Sequence, residues 1–119
     1  MKTIAVINNE RTIGEIVRFS LEQAGYRVRV YARGLDALEA LVQEPPDLVM
    51  LDTYNPPLGG VALLRRLRQH CDTPVIFLSP HAEKIAKKLA GTPLEADDYI
   101  ESPFSVVDMV QRVKAIIDR

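Results

Sequence analysis

Cysteine is nearly absent from this chain, with Cys71 the only one among 119 residues. A single thiol excludes an internal disulfide and a cysteine metal cluster, and it suggests a reducing compartment, which we expect to be the cytoplasm. Neither sign of charge is in excess, because 15 basic residues face 16 acidic ones. Non-specific attraction to nucleic acid or to an anionic membrane is therefore not expected. No apolar run approaches the roughly 20 residues needed to span a membrane.

Short apolar runs of strand length alternate along the chain with patterns of helical spacing. Residues 48–51 are continuously apolar, which is typical of a strand covered on both faces of a sheet. Residues 27–31 alternate and carry arginines, which favours an edge strand. We predict five strands, at residues 3–8, 27–31, 47–52, 74–79 and 98–101.

Five helices are predicted between and after these strands. Apolar residues recur on one face of residues 12–24, 35–42, 61–67 and 82–90, and a last helix follows Ser105. Thr12 and Glu15 have the spacing of a capping box, and Ser105 with Asp108 forms a plausible cap for the last helix. The segment 91–93 is expected to break the fourth helix.

Five strand–helix repeats predict a parallel sheet with helices on both faces. Right-handed crossovers leave few topologies for such a sheet. The most economical is a flavodoxin-like, doubly wound α/β fold with strand order 2-1-3-4-5 and five helices. We expect residues 1–119 to form a single domain.

Polar residues stand at the carboxyl ends of four predicted strands. Ligands of parallel sheets bind beyond these ends, so we expect the polar groups to share one rim. Asp52 is the most informative of these residues, because it is an acid at the end of a buried strand and directly before a Pro/Gly turn. An acid in this position is poorly suited to the core and is better explained as a reactive group at the mouth of a site. A lone aspartate can accept a phosphoryl group as an acyl phosphate. The rim residues are Asn8, Asn9, Asp52, Ser79, Glu101 and Ser102.

Other interpretations of the rim stay open at this point. Asp52 could be a turn residue, Asn8 and Asn9 could cap the first helix, and Ser79 could satisfy backbone groups at a strand end. A hydrolase using Ser79 and His81 is a weak alternative, because no strained nucleophile turn is present. A flavin-binding or other small-ligand domain would need a phosphate loop, and residues 8–14 match no such motif.

At these residues the chain resembles bacterial response-regulator receiver domains. The resemblance covers the whole chain and rests on residues 46–52 with Pro56 and Gly60, on 73–79 and on 96–104. The last segment resembles the OmpR-like subclass, in which the receiver is fused to a winged-helix DNA-binding domain. The resemblance implies two-component phosphorelay signalling with a histidine kinase or another signalling protein as partner. It also implies transcription regulation through an attached domain, no direct nucleic-acid binding by the receiver, and no enzymatic function.

The resemblance also implies roles for individual residues. Asp52 matches the phosphoacceptor, Ser79 the hydroxyl that swings towards the phosphoryl group, and Tyr99 the aromatic switch. The family holds Mg²⁺ with the acceptor, an acid after the first strand, and a backbone carbonyl, here that of Tyr54. The OmpR-like subclass dimerises through its fourth helix, fifth strand and fifth helix, where the residues for intersubunit ion pairs would be Lys87, Lys88, Asp97, Asp98 and Arg112.

The chain departs from the family pattern at the charged positions. The acidic pair is Asn8 and Asn9, Ser102 stands where the family has lysine, and Gly59 replaces the usual aspartate. We therefore expect a weak or absent Mg²⁺ site at Asn8, Asn9, Asp52 and the Tyr54 carbonyl, with no other cofactor. We expect the side-chain amides to hydrogen-bond Asp52 directly.

A close variant of this hypothesis keeps the fold without phosphorylation. In that variant the chain is a phosphorylation-independent pseudo-receiver that acts as a protein-interaction or dimerisation module.

Overall fold

A parallel sheet of five strands runs through the centre of the protein in a computed structural model, which describes residues 1–119. Its strands are paired in the predicted 2-1-3-4-5 order once a separate two-stranded hairpin, which follows the third strand, is left out of the numbering. The sheet strands are β1 (Thr3–Ile7), β2 (Arg27–Tyr31), β3 (Leu48–Leu51), β6 (Val75–Ser79) and β7 (Asp98–Glu101).

Five helices cover the two faces of this sheet, which confirms the predicted doubly wound architecture. They are α1 (Arg11–Gln23), α2 (Gly34–Gln43), α3 (Gly60–Arg68), α4 (Ala82–Leu89) and α5 (Val106–Ile117). None of them is both long and apolar enough to cross a membrane.

Two apolar clusters lie on opposite faces of the sheet, because successive side chains of a strand point to opposite sides. On β3, Met50 packs into the cluster beneath α1 and α5, whereas Leu51 packs into the cluster beneath α2, α3 and α4. Every residue of β3 is buried, as its unbroken apolar sequence predicted. The carboxyl end of β3 is therefore held rigidly between both layers.

A short antiparallel hairpin follows β3, where the sequence suggested only a turn. Its strands are β4 (Tyr54–Asn55) and β5 (Leu58–Gly59), joined at Pro56 and Pro57. The hairpin leads into α3 at Gly60, where the backbone of β3 passes very close. A Cβ atom at Gly60 would lie 2.2 Å from the carbonyl oxygen of Asp52, so only glycine fits this position.

The predicted capping box of α1 is wrong. The helix begins at Arg11, one residue before Thr12, and no side chain caps it at Glu10. The start is set instead by Asn8, whose Oδ1 accepts a hydrogen bond from the main-chain N–H of Glu10 at 2.8 Å. The cap of α5 is as predicted, since Ser105 Oγ accepts from the N–H of Asp108 at 3.2 Å.

Candidate functional site

A cavity of about 360 Å³ opens at the carboxyl ends of β1, β3 and β6. The structure brings five of the six rim residues into its lining, and only Glu101 lies elsewhere, where its carboxylate accepts from the N–H of Glu83. The twelve lining residues are Asn8, Asn9, Glu10, Ile13, Asp52, Thr53, Tyr54, Leu78, Ser79, Pro80, His81 and Ser102.

Asp52 lies at the base of this cavity and is 8% exposed. Its Oδ2 accepts a hydrogen bond from the main-chain N–H of Asn9 at 2.7 Å, and its Oδ1 lies 3.4 Å from Nδ2 of Asn55. Burial raises the pKa of Asp52 to about 6, and the nearby charge of Glu10 acts in the same direction. The two hydrogen bonds lower the pKa but do not cancel the effect of burial.

The expected hydrogen bonds from the side-chain amides of Asn8 and Asn9 to Asp52 are not formed, and that prediction is wrong. Asn8 uses its side-chain oxygen to accept from Glu10 N–H at the start of α1. Asn9 reaches Asp52 through its main-chain nitrogen, while its side chain is exposed. The amide that does approach Asp52 belongs to Asn55, on the hairpin strand β4.

The hydroxyl of Ser79 is 2% exposed and has two partners. Its Oγ lies 2.8 Å from Oγ1 of Thr53, and it accepts from the main-chain N–H of His81 at 2.8 Å. Because His81 meets Ser79 through its backbone, the two side chains do not form the hydrogen-bonded pair that a hydrolase would need.

Sequence reasoning missed three residues of the site: Glu10, Thr53 and Asn55. Glu10 adds a second carboxylate to the cavity, beside Asp52, where the sequence suggested one. Its position directly after Asn8 and Asn9, which end the first predicted strand, could have indicated that it belongs to the site. Asn55 is a buried polar residue, 2% exposed, in a hairpin of only four paired residues. A segment this short has no hydrophobic periodicity from which its burial could have been predicted.

The charge and donor set of the cavity limit what it can hold. No lysine or arginine is among the lining residues, and His81 is the only group there that can become positive. No cluster of three or more His, Cys, Asp or Glu side chains capable of holding a metal occurs in the chain. The side-chain oxygen atoms that could bind a cation in this cavity belong to the carboxylates of Asp52 and Glu10 and to neutral amides and hydroxyls.

Tyr99 lies outside the cavity, on β7. Its ring stacks on Phe77 with centroids 5.8 Å apart and an angle of 4° between the ring planes. Its hydroxyl accepts from the N–H of Ala96 at 2.8 Å. Phe77 and Ser79 both belong to β6, so this strand carries the ring against which Tyr99 packs and the hydroxyl at the cavity.

Four of the five charges proposed for intersubunit ion pairs have partners within this chain. Arg112 lies 3.2 Å from Asp98 and 3.1 Å from Asp108. Asp97 pairs with Arg119, and Lys87 lies 3.9 Å from Glu83. Lys88 makes no ion pair.

Solved structures of receiver domains are similar to this chain over nearly all of its length. The BeF3-activated DrrB receiver domain is 30% identical, with a TM-score of 0.87, over 100% of this chain and 99% of the other. A response regulator from Chloroflexus aurantiacus J-10-fl is 33% identical, with a TM-score of 0.87, over 99% and 98%. The non-phosphorylated HemR receiver domain from Leptospira biflexa is 27% identical, with a TM-score of 0.89, over 100% and 96%.

A family model described as the response regulator receiver domain matches residues 4–114. This match takes in every strand and helix of the fold except Thr3, the first residue of β1, and the last turn of α5. It also spans all residues of the cavity at the carboxyl edge of the sheet. The chain therefore belongs to the response regulator receiver domains, the family of two-component signalling.

Proposed function

We propose that this receiver carries its phosphoacceptor position at Asp52 but signals through protein contacts with little control by phosphorylation. The observation that carries the proposal is the set of neighbours of the Asp52 carboxylate. Its hydrogen-bond donors are the neutral N–H groups of Asn9 and Asn55. No lysine or arginine lines its cavity, and Ser102 lies where the family pattern has a lysine.

Phosphoryl transfer to a carboxylate needs positive charge around the transferring oxygens. Enzymes and receivers supply it with metal ions and fixed cations, whose contribution is large because the site is partly shielded from water. In this cavity the transferred group would meet the Asn9 N–H and the hydroxyls of Thr53, Ser79 and Ser102. These groups bear no net charge, so we expect phosphoryl transfer to Asp52 to be slow.

The donor set does not fit a strong Mg²⁺ site. Mg²⁺ requires hard, charged oxygen ligands in near-octahedral geometry and gives up its water reluctantly. The family's ligand positions here are Asn8, Asn9, Asp52 and the carbonyl of Tyr54, of which only Asp52 is an acid. Glu10 brings a second carboxylate to the cavity but stands at none of these positions. Asn8 already uses its oxygen at the start of α1, and Oδ2 of Asp52 already accepts from Asn9.

The residues that would transmit a signal are still present. Ser79 is proposed as the hydroxyl that responds to Asp52, and Tyr99 as the aromatic group that moves with it. In the structure the ring of Tyr99 is stacked on Phe77 and half-buried. A movement of Tyr99 would therefore have to break this stacking on Phe77.

Receiver domains in general interact with histidine kinases and other signalling proteins, and we propose such a partner for this chain. A homodimer through α4, β7 and α5 stays a hypothesis. Asp97, Asp98 and Arg112 are among the residues that would link two copies, and within one chain Asp98 already pairs with Arg112 and Asp97 with Arg119. A dimer would have to exchange these partners between subunits, at modest cost because the ion pairs are only partly shielded from water. Transcription regulation would come from an attached domain.

The proposal is tested by incubating the protein with acetyl phosphate and Mg²⁺ and following the mass of the intact chain. We expect little or no gain of a phosphoryl group at millimolar metal, and the same result for Asp52→Asn. Rapid stoichiometric labelling of the native chain, absent from Asp52→Asn, would overturn the proposed lack of phosphorylation control. It would also establish Asp52 as an efficient acceptor.

A further inference from the structure

The side chain of Asn55 joins three separate parts of the protein. Its Oδ1 accepts from the main-chain N–H of Gly34 at 2.6 Å, and its Nδ2 donates to the carbonyl oxygen of Ala32 at 2.9 Å. The same nitrogen lies 3.4 Å from Oδ1 of Asp52. Asn55 therefore lies between the acceptor carboxylate and the loop that leads from β2 into α2.

These contacts require one orientation of the Asn55 amide. An amide has one acceptor oxygen and two donor hydrogens, and here the oxygen faces an N–H while the nitrogen faces two oxygens. A flipped amide would place its oxygen against the Ala32 carbonyl and the Asp52 carboxylate, and its NH₂ against Gly34 N–H. All three contacts would then be repulsive, so the orientation is determined by the surroundings.

The start of α2 depends on this side chain. Arg33, which precedes the helix, provides no side-chain cap, so Asn55 Oδ1 is the acceptor for the first free N–H of the helix, that of Gly34. Gly34 also lies against α3, because a Cβ there would be 2.2 Å from Cδ1 of Leu63. A displacement of Gly34 would therefore be felt by both α2 and α3.

We propose that Asn55 is a positioning residue that couples the Asp52 carboxylate to the N-terminus of α2. A change that removes the acceptor at Oδ1 of Asp52 leaves a buried hydrogen of Asn55 without a partner, which favours a shift of the amide away from Gly34. This coupling leads to α2, which packs next to β2 at one edge of the sheet, whereas Tyr99 lies on β7 at the other edge. The proposal rests on the proposed function in that it takes Asp52 as the group altered in signalling.

Hydrogen exchange of the Gly34 amide tests the coupling in four chains: native, Asp52→Asn, Asn55→Ala and the double variant. An amide at position 52 has one acceptor oxygen, which the shorter bond to Asn9 N–H takes, so its NH₂ turns towards the NH₂ of Asn55. The Asp108 amide, bonded to the N-cap Ser105 before α5, serves as the internal reference, because it is also a side-chain-capped amide at the start of a helix but lies outside the cavity.

We expect Asp52→Asn to lower the protection of the Gly34 amide about tenfold relative to Asp108 when Asn55 is present, and to have no effect when residue 55 is alanine. A residue that only capped α2 would leave Gly34 unaffected by Asp52→Asn. Unchanged protection in the native background, or equal changes in both backgrounds, would overturn the coupling.

If Asn55→Ala fails to fold, the comparison of the native chain with Asp52→Asn still tests the coupling, because unchanged protection of the Gly34 amide is incompatible with the proposal. The result is also independent of the labelling test. The chain can resist acetyl phosphate and still couple Asp52 to Gly34, or accept a phosphoryl group without doing so.

Discussion

Oδ2 of Asp52 lies 2.7 Å from the main-chain nitrogen of Asn9, so the carboxylate at the end of β3 is held by the segment that follows β1. This hydrogen bond favours the charged form of Asp52, but burial disfavours it more strongly and raises the pKa to about 6. The carboxylate is therefore ionised at neutral pH, yet its ionisation costs the native state free energy. That cost depends on pH in a way that can be measured.

The unfolded chain releases the Asp52 proton near pH 3.8, whereas the native state holds it until about pH 6. Below pH 3.8 Asp52 is protonated in both states, so its ionisation takes nothing from the free energy of unfolding. As pH rises towards 6, the unfolded state ionises first, so the contribution of Asp52 to stability falls, and above pH 6 the loss is complete. We expect a loss on the order of 1–2 kcal/mol after allowance for solvent screening.

Chemical denaturation of the native chain and Asp52→Asn at pH 4 and pH 7.5 isolates this effect. The free energy of unfolding of Asp52→Asn, relative to native, should be higher at pH 7.5 than at pH 4 by that amount. Hydrogen-bond changes caused by the substitution are present at both pH values and cancel. A difference between the two chains that does not vary with pH would contradict the raised pKa.

Gly60 and Gly59 form a matched pair for the backbone contact after β3. Gly60→Ala should destabilise the protein by more than about 2 kcal/mol, because its Cβ would meet a backbone oxygen at 2.2 Å. Gly59→Ala should change stability by less than about 1 kcal/mol, since the nearest atom lies 3.6 Å away and the backbone is extended. Urea denaturation of both variants checks the prediction, and similar costs for the two would contradict it.

A second pair of substitutions compares the two predicted helix caps, the one that forms at Ser105 and the one that does not form at Thr12. Ser105→Ala should cost about 1 kcal/mol in free energy of unfolding, because the N–H of Asp108 loses its acceptor. Thr12→Ala should be nearly neutral, since Thr12 lies inside α1 and makes no cap. Thermal unfolding followed by circular dichroism measures both, and a larger loss for Thr12→Ala would restore the capping box.

Much of the fold could be predicted because its determinants are periodic. The continuous apolar sequence of β3 and the apolar stripes of the helices identify elements, and right-handed crossovers then restrict the order of strands. The bounds of β2 and β7 agree with the prediction to the residue. The rim at Asn8, Asp52 and Ser79 followed from the same reasoning, since parallel strands end at one edge.

The hairpin and the hydrogen bonds of the site could not be predicted because they depend on single contacts. Asn55 is polar and lies in a Pro-rich turn, a pattern typical of an exposed loop, yet three partners bury it. Asn8 was expected to face Asp52, but the N–H of Glu10 is a closer local partner for its side chain. Which of several nearby groups a side chain bonds to does not follow from the periodicity of a sequence, so these hydrogen bonds could not be predicted from it.

The rate of Asp52 labelling by acetyl phosphate, compared between the native chain and Asn8→Asp/Asn9→Asp/Ser102→Lys, tests the central claim most directly. The triple variant adds two acids and one lysine at the cavity, the charges that metal binding and phosphoryl transfer require. With Mg²⁺ present, we predict labelling of the variant roughly 100-fold faster than native. Fast labelling of the native chain, with no gain in the variant, would contradict the account.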